Sequence, residues 1–437
     1  MESKSFTLPR GMKDVEPEEM NRRLWLYDKI REVVRRYGFQ IVEPTTIENL
    51  KTLEAKSGPA IRKEIYWFKD KSGRSLGLRF DLTVGIARMI ANRYDLPEPI
   101  KFATIGGNWR YDEPQFGRYR YFAQWDIEIF GSESPTADAE VISVGADILS
   151  NVELRDFVIR ISNRRLTESY LKQVGIRSQV QLEQSLRIID KIRKEPLDQL
   201  RRELKAIKIK EKAMNDILSY IALNGPPTQV LDDLSEYDFR EENAKKGLNE
   251  LRILAGELES FGNVSSCVYD LSIVRGIGYY DGIVFEAFDK GGDDVGSIFG
   301  GGRYDKLCRI YGKRDLPATG VAGGIERLMI SLERANLFPK MRIGAKVFVA
   351  SVQEGIRPDA IRLAQTLRNS GVSAEVDLKG RNLSKQLEYA NSARIPYVIV
   401  LGPKEIQTQS VRIKSMETRA EIEASFTELA TKLRTLD

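Results

Sequence analysis

No histidine occurs anywhere in the 437 residues. That absence removes the Ser-His-Asp triad, the histidine-ligated metal centre and the imidazole general base, and leaves arginine, carboxylates, tyrosine and metal-bound phosphate as the available chemistry. Cysteine is nearly as scarce. Cys267 and Cys308 are too few and too far apart for a disulfide framework, and without histidine they leave no ligand set for structural zinc. No apolar run approaches the roughly 18 residues that cross a bilayer, and the opening MESKSFTLPR lacks the hydrophobic core of a signal peptide. The expectation is a cytoplasmic protein with no membrane contact and no protein-held metal. Internal repeats and low-complexity tracts are absent as well.

What is there is a chain of ordinary globular composition, 42% hydrophobic and 30% charged. It is too long for one core, so about two or three domains are expected. The net charge of +5 is unevenly spread: residues 341–437 hold 15 Lys and Arg against 11 Asp and Glu, an excess that suits a nucleic-acid partner.

Three patterns succeed one another along the chain. Between Pro17 and Gly38, residues Leu24, Tyr27, Ile30, Val33, Val34 and Tyr37 recur at helical spacing. This long amphipathic helix runs into FQIVEPTTIE, where Pro44 suits an edge or interface strand. SLGLRFDLT follows, then NWRYDEPQFGRYRYFAQWDIEIF at 108–130, which reads as two strands joined by a Pro-Gln-Phe-Gly turn, and then SPTADAEVISVGADIL, a helix opened by Ser-Pro. From about Leu166 to Phe261 the character is long polar helices. Within them Lys191 to Lys212 hold nine basic and four acidic residues and read as a solvated helix face, with a nucleic-acid surface as the alternative. Strand signals return after Asn263 in CVYDLSIVRGIGYYDGIVFEAF and GVAGGIERLMISL, so the helical block looks inserted into one discontinuous domain. Beyond Met341, KVFVA, a helix over Pro358–Asn369, VSAEVDL, a helix over Ser384–Ala393 and PYVIVLG alternate as in a doubly wound, largely parallel α/β unit.

Chemistry concentrates in four polar segments. In the 108–130 hairpin, Arg110, Arg118 and Arg120 stand among aromatic rings. Strand alternation aims Arg118 and Arg120 the same way, a row of guanidinium forks fitted to phosphate or carboxylate beside rings that stack on a purine. A solvated antiparallel hairpin is the alternative for that stretch alone. The other segments are RFDLT at 79–83, IVRGIGYYDGIVFE at 273–286, and GGGRYD with TGVAGGIERL within 300–328. In the last, Gly320, Gly323 and Gly324 allow close backbone approach before Glu326 and Arg327 enter a helix.

Taken in order, a long helix ending in a proline-bearing strand, an Arg-x-Asp hairpin and Gly-x-Glu-Arg at a helix start resemble motifs 1, 2 and 3 of the class II aminoacyl-tRNA synthetases. IVRGIGYYDGIVFE and GGGRYD resemble the two histidine-specific motifs of the histidyl-tRNA synthetases. With LPRGMKDVEPEE at the start and an α/β unit at the end, the resemblance covers nearly the whole chain. It implies an α+β fold: an antiparallel-sheet class II synthetase catalytic domain at 1–165 and 262–335, a helical insertion at 166–261, and a C-terminal α/β anticodon-binding domain at 341–437. It also implies ATP-dependent activation of L-histidine to histidyl-adenylate and transfer to the 3' end of histidine tRNA. The partners it implies are ATP as substrate, Mg2+ accompanying the phosphates, histidine tRNA, and a second copy of the chain in a homodimer formed at motif 1.

Residue by residue, the resemblance implies Arg110 on the α-phosphate and the substrate carboxylate, Arg275 as a second arginine at the α-phosphate, and Arg327 on the γ-phosphate side; these three form the catalytic set. Asp112, Arg118, Arg120 and Phe122 complete the ATP-binding set, with Phe122 under the adenine and Arg118 and Arg120 serving the triphosphate and the incoming tRNA end. Asp81, Thr83 and Gln124 surround the α-ammonium. Glu128 and Tyr280 take the imidazole, whose one N–H and one bare nitrogen suit a carboxylate acceptor and a phenol donor. Tyr279 stands beside Tyr280 as the other histidine-binding candidate, one of the two being a core residue. Two positions depart from the family pattern: Gly278 stands where Asp is usual, which loosens the loop carrying Arg275, and Ala123 where a polar or hydroxyl residue is frequent. The nucleophile is the substrate's own carboxylate, so the missing histidine removes nothing the reaction needs. The rival is a non-catalytic paralogue, a regulatory subunit that senses histidine for a biosynthetic transferase. Such subunits tend to lose catalytic arginines and the C-terminal domain, whereas this chain keeps Arg110, Arg275, Arg327 and the 97 residues from Met341 onward.

Overall fold

The computed structural model describes residues 6–113, 119–193, 195–275, 280–292 and 295–436. The chain divides into two compact units, Met1–Phe338 and Pro339–Asp437.

A nine-stranded sheet organises the first unit. Its spatial order is Gln40–Ile41, Ile100–Trp109, Tyr121–Phe130, Ala318–Gly324, Ser297–Arg303, Ile283–Asp289, Phe157–Asn163, Cys267–Asp270 and Asn224–Gly225. The pairings of Gln40–Ile41 with Ile100–Trp109 and of Phe157–Asn163 with Cys267–Asp270 are parallel. The six others are antiparallel. Gln40–Ile41, three residues before Pro44, lies at the sheet's edge, where a missing backbone donor leaves no ladder bond unmade.

Helices Pro17–Arg36 and Pro135–Asn151 contribute to the core on one side of this sheet. In the first, Leu26, Ile30, Val33 and Val34 are buried. Leu24, expected in the same stripe, is 45% exposed: two residues from Leu26 is about 200° of helical rotation, which turns it away. The inward position one turn earlier belongs to Arg23, buried because it has partners there. Helix Pro135–Asn151 starts where the Ser134 hydroxyl accepts from the Thr136 N–H, satisfying one of the donors a helix leaves orphaned.

The helices Gln179–Ile189, Leu197–Ala206, Glu211–Ile221, Pro227–Ser235 and Glu242–Ser260 form a block of their own in sequence. Their inward residues, among them Leu186, Leu200, Leu204, Ile217 and Leu251, share one hydrophobic core with Ile159 and Ile161 of the sheet. On the basic stretch 191–212, Leu200 and Leu204 are buried and Lys191 pairs with Glu203 at 2.9 Å.

The second unit is built on a five-stranded sheet in the order Ala374–Val376, Val347–Ser351, Tyr397–Leu401, Ser410–Ser415, Glu421–Ser425. Val347 and Val349 pack with Leu363, Ala364 and Leu367 of helix Arg357–Asn369. Phe348, Ala350 and Val398 cluster with Ala390 of helix Leu383–Ser392. The first three strands pair in parallel, as the alternation of strands and helices requires. The last two are antiparallel, which that reading did not include. VRIKS buries Val411 and Ile413 and exposes Arg412 and Lys414, the pattern of a strand covered on one side only, while EIEAS at the edge buries only Ala424.

Candidate active site

Sheet register brings one polar face together. On Tyr121–Phe130, Ala123, Trp125, Ile127 and Ile129 enter the helix-covered core. Strand alternation therefore leaves Phe122, Gln124, Asp126 and Glu128 on the other face. Asp126 pairs across one neighbour with Thr104 and across the other with Ala322. That row continues through Gly300 to Glu286, and residues directly opposite one another share a face. The central strands thus present alanine and glycine where larger side chains would fill the space. A Cβ at Gly300 would strike the Arg275 guanidinium, and one at Gly320 the Glu128 carboxylate.

Over this floor lies a cavity of about 250 Å³ whose lining includes Arg110, Asp112, Phe122, Gln124, Arg275 and Arg327. Six residues named from the sequence are thereby brought together. Arg110 donates from Nε to the Phe80 carbonyl at 3.0 Å, and its guanidinium stands 4.9 Å from the Phe122 ring centre. Arg275 holds a left-handed backbone with φ 48° and donates from Nη1 to Glu286 at 2.6 Å. Arg327 donates to the Ser297 carbonyl at 2.8 Å. Gln124 accepts from Asn108 at 2.6 Å.

The remaining acidic and hydroxyl groups form a buried layer. Asp81 accepts from Lys56 at 2.9 Å and from the Val84 N–H at 3.0 Å, which anchors the start of helix Thr83–Ile90. Thr83 donates to Asp126 Oδ2 at 3.2 Å. Glu128 accepts from the Tyr304 hydroxyl. Asp126 and Glu128 are 1% and 2% exposed. Burial, reinforced by the Asp81 charge, raises the Asp126 carboxyl to about 7. Burial, then the Asp126 charge, pushes Glu128 well above the usual carboxylate range. Tyr280 lies edge-on to Tyr304 at 6.3 Å, with the Arg275 guanidinium 5.7 Å from its ring centre.

Arg120 is not part of the cavity lining. Its Nε donates to the Asp112 carbonyl at 3.1 Å, its Nη1 to the Arg10 carbonyl at 3.3 Å, and its guanidinium stacks 4.0 Å from the Tyr111 ring centre. It precedes the strand, which starts at Tyr121, so Arg120 does not stand in the row that Phe122, Gln124, Asp126 and Glu128 form on the sheet face. Arg118, Gly278 and Tyr279 lie outside the described residues. Ala123 points into the core and donates its N–H to Glu326 at 3.0 Å. Glu326 in turn pairs with Arg23 at 3.1 Å, which links helix Pro17–Arg36 to helix Ile325–Arg334, the bearer of Arg327. Burial raises the Glu326 carboxyl against the lowering pull of Arg23.

Three residues escaped the sequence reading. Asp126 could have been found by alternation between Gln124 and Glu128, and Tyr304 stood inside the quoted GGGRYD. Glu286 closed the quoted IVRGIGYYDGIVFE, but nothing in that segment says that it pairs with Arg275, which the fold alone decides. Among the described residues, no group of three or more His, Cys, Asp or Glu is placed to hold a metal ion, and no helix is long and apolar enough to cross a membrane.

Comparison with known proteins adds independent findings. The family model described as "Histidyl-tRNA synthetase" matches residues 11–328, and one described as "Anticodon binding domain" matches residues 346–436. The "Histidine--tRNA ligase" of Pyrococcus furiosus is 38% identical over 421 residues, which cover 96% of each chain. The crystal structure of histidyl-tRNA synthetase from Nostoc sp. PCC 7120 superposes with a TM-score of 0.86 at 27% identity over 99% of both chains. A structure titled ATP phosphoribosyltransferase regulatory subunit/histidyl-tRNA synthetase, from Bacillus halodurans, gives 0.77 at 24% identity over 90% of this chain and 98% of that one, a likeness of fold alone.

Proposed function

The chain belongs to the histidyl-tRNA synthetase family, and from that premise we propose how its residues divide the work. The reaction is ATP-dependent activation of L-histidine to histidyl-adenylate, followed by transfer to the 3' end of histidine tRNA. The observation that carries the division of labour is the convergence of Arg110, Arg275 and Arg327 on one cavity floored by glycine and alanine.

In the first step a carboxylate oxygen of histidine attacks the α-phosphorus of ATP, and the bond to pyrophosphate breaks. Negative charge crowds at that phosphorus, and preorganised cations are what such a transition state needs. Arg110 and Arg275 meet the α-phosphate and the attacking carboxylate, and Arg327 meets the γ-phosphate side. Phe122, already under the Arg110 guanidinium, carries the adenine, and Asp112 joins the ATP-binding set. Glu286 aims Arg275 through their 2.6 Å pair. Gln124, Asp81 and Thr83 hold the α-ammonium, while Glu128 and Tyr280 take the imidazole. In the second step the terminal ribose hydroxyl of the tRNA attacks the adenylate carbonyl, and AMP leaves. Mg2+ arrives with ATP. It would accompany the phosphates and screen their charge.

Residues 1–165 and 262–335 form the catalytic domain, 166–261 the helical insertion, and 341–437 the anticodon-reading domain. The enzyme works in the cytoplasm as a homodimer joined at the first helix and edge strand, where Leu24 and Ile41 are 45% and 46% exposed; light scattering tests that assembly. Pyrophosphate exchange with each amino acid in turn, beside charging of histidine tRNA, tests the whole. Exchange with histidine alone is expected. Histidine binding with no exchange would favour a sensing subunit instead. A chain cut after Lys340 should keep exchange and charge tRNA poorly, with a shallower dependence on salt, because phosphate contacts are lost.

A further inference from the structure

One acid of the cavity lining takes its cation from elsewhere. Glu286 pairs with Arg275, itself part of the lining. Glu326 also lines the cavity, beside Arg327, yet its partner is Arg23 of helix Pro17–Arg36, at 3.1 Å, with the two side chains 9% and 6% exposed. The same Arg23 nitrogen, Nη2, meets Glu19 at 2.8 Å, and Glu19 pairs in turn with Lys13 at 2.5 Å. Charges thus alternate along four residues, from Lys13 inward to Glu326 at the cavity.

The place of Glu326 follows from where a strand ends. Strand Ala318–Gly324 runs beside Tyr121–Phe130 as far as the rung between Gly324 and Gln124, and the chain then enters helix Ile325–Arg334. The next N–H, that of Ala123, donates instead to the two Glu326 oxygens at 3.0 and 3.2 Å. Gln124 is held by strands on both sides, at Gly324 and at Gly106. Phe122 lies past the last rung on the Gly324 side, where the Glu326 carboxylate closes the ladder. Helix Ile325–Arg334 is tied to helix Pro17–Arg36 near its far end too, by Arg22 with Glu333 at 3.0 Å, while Trp25 stands edge-on to Phe338 at 5.6 Å.

We propose that Arg23 is a positioning residue for ATP: it neutralises Glu326 and holds that carboxylate against the Ala123 N–H, which keeps a bare negative charge out of the triphosphate's space and leaves Arg327 aimed at the γ-phosphate side. This rests on the ATP site proposed above. Removing one partner of a buried ion pair leaves the other charge uncompensated. Without Arg23, the acid one residue before Arg327 would repel incoming phosphate or draw Arg327 onto itself, and either outcome weakens ATP. The end of the strand that carries Phe122 would lose its closing rung with it. Histidine is met by Asp81, Thr83 and Glu128, whose bonds run to Lys56, the Val84 N–H, Asp126 and Tyr304. Its binding is therefore independent of the pair.

The test is pyrophosphate exchange by the full-length chain with ATP and histidine varied separately. Arg23→Gln, which keeps a donor and removes the charge, should raise the KM for ATP about tenfold, the scale of one unneutralised charge near the phosphates, and leave the KM for histidine unchanged. Arg23→Lys keeps the charge and should restore most of the ATP value. Adding Glu326→Gln to Arg23→Gln removes the charge that Arg23 answers, so the KM for ATP should return to that of Glu326→Gln alone. Equal rises in both KM values, or a double variant as impaired as Arg23→Gln, overturn the proposal, because a merely structural arginine serves both substrates and its loss is not relieved by a second change. Should Arg23→Gln not fold, Arg23→Met combined with Glu326→Gln is compared with Glu326→Gln alone: matching KM values for ATP uphold the proposal, and a further rise of about tenfold refutes it. Absence of any histidine-dependent exchange by the wild-type chain would overturn the functional reading itself, and this inference with it.

Discussion

The two larger sheets of this protein treat their faces differently. In the C-terminal unit both faces of Val347–Ser351 are hydrocarbon: Val347 and Val349 meet one helix, Phe348 and Ala350 the cluster of another. In the first unit, Tyr121–Phe130 is closed on one face by Trp125, Ile127 and Ile129, while the other carries Gln124, Asp126 and Glu128. Burial is nearly equal in the two cases, with Asp126 and Glu128 as hidden from solvent as Val349. What differs is the cost. Burying methyl groups is favourable, while burying carboxylates is tolerated only with partners or protons. A sheet that spends stability on one of its faces marks that face as the working one.

The largest expected effect lies on that face. Glu128→Gln should weaken histidine by up to about 10⁴ while leaving ATP nearly untouched, since a buried site built for a polar ring rejects a mismatched one strongly. Separate KM values for the two substrates in pyrophosphate exchange check this, and equal losses would make Glu128 a structural residue. Arg275→Ala comes next. Removing one preorganised donor typically lowers kcat by about 10²–10³, and circular dichroism should show an unchanged fold because Arg275 is not a core contact. Exchange near the wild-type rate would remove Arg275 from the chemistry.

Smaller effects concern stability. Burial raises the folded-state carboxyl of Asp126 from its usual 3.8 to about 7, so between those pH values the native chain binds a proton that the unfolded chain has lost. Its contribution therefore disfavours folding progressively as pH rises through that window. The stability of Asp126→Asn relative to wild type should accordingly increase from pH 4 to pH 7, by an amount on the order of a few kcal/mol; denaturant melts at three pH values suffice, and a pH-independent difference contradicts it. The smallest change belongs to the other sheet. Ile399→Val, at a fully buried position, should cost about 0.5–1.5 kcal/mol of stability in the C-terminal unit with no change in pyrophosphate exchange. Loss of exchange in that variant would break the division of labour between the two sheets.

Much of this was legible in residue order. The helix over Pro17–Arg36, the second strand of the hairpin read at 108–130, the helical block and the C-terminal strand–helix alternation announce themselves by period and by proline or glycine placement, whereas the first strand of that hairpin lies at Ile100–Trp109, almost wholly ahead of the stretch read as its start. Arg110, Phe122, Gln124, Arg275 and Arg327 stand out in the sequence, and they share one cavity. Arg120 and Leu24 show where that reading stops. An arginine in a hairpin bonds phosphate or its own backbone with the same donors, and nothing in GRYRY says that the Asp112 and Arg10 carbonyls come within reach. A leucine at helical spacing is inward only if the stripe's centre is known, and that centre is set by what packs against it.

By itself the sequence determined the chemistry available, from the absence of histidine to the supply of arginines, and the local periods that build each element, because both depend on residue type and on neighbours a few positions away. Tertiary structure alone decided that Glu286 pairs with Arg275, that Tyr304 meets Glu128 across 176 residues, and that Asp126 keeps an oxygen without a partner. Those outcomes follow from the register of nine strands gathered from Gln40 to Gly324. Register is fixed by the sum of many packing choices along the sheet, and no single stretch of sequence contains that sum.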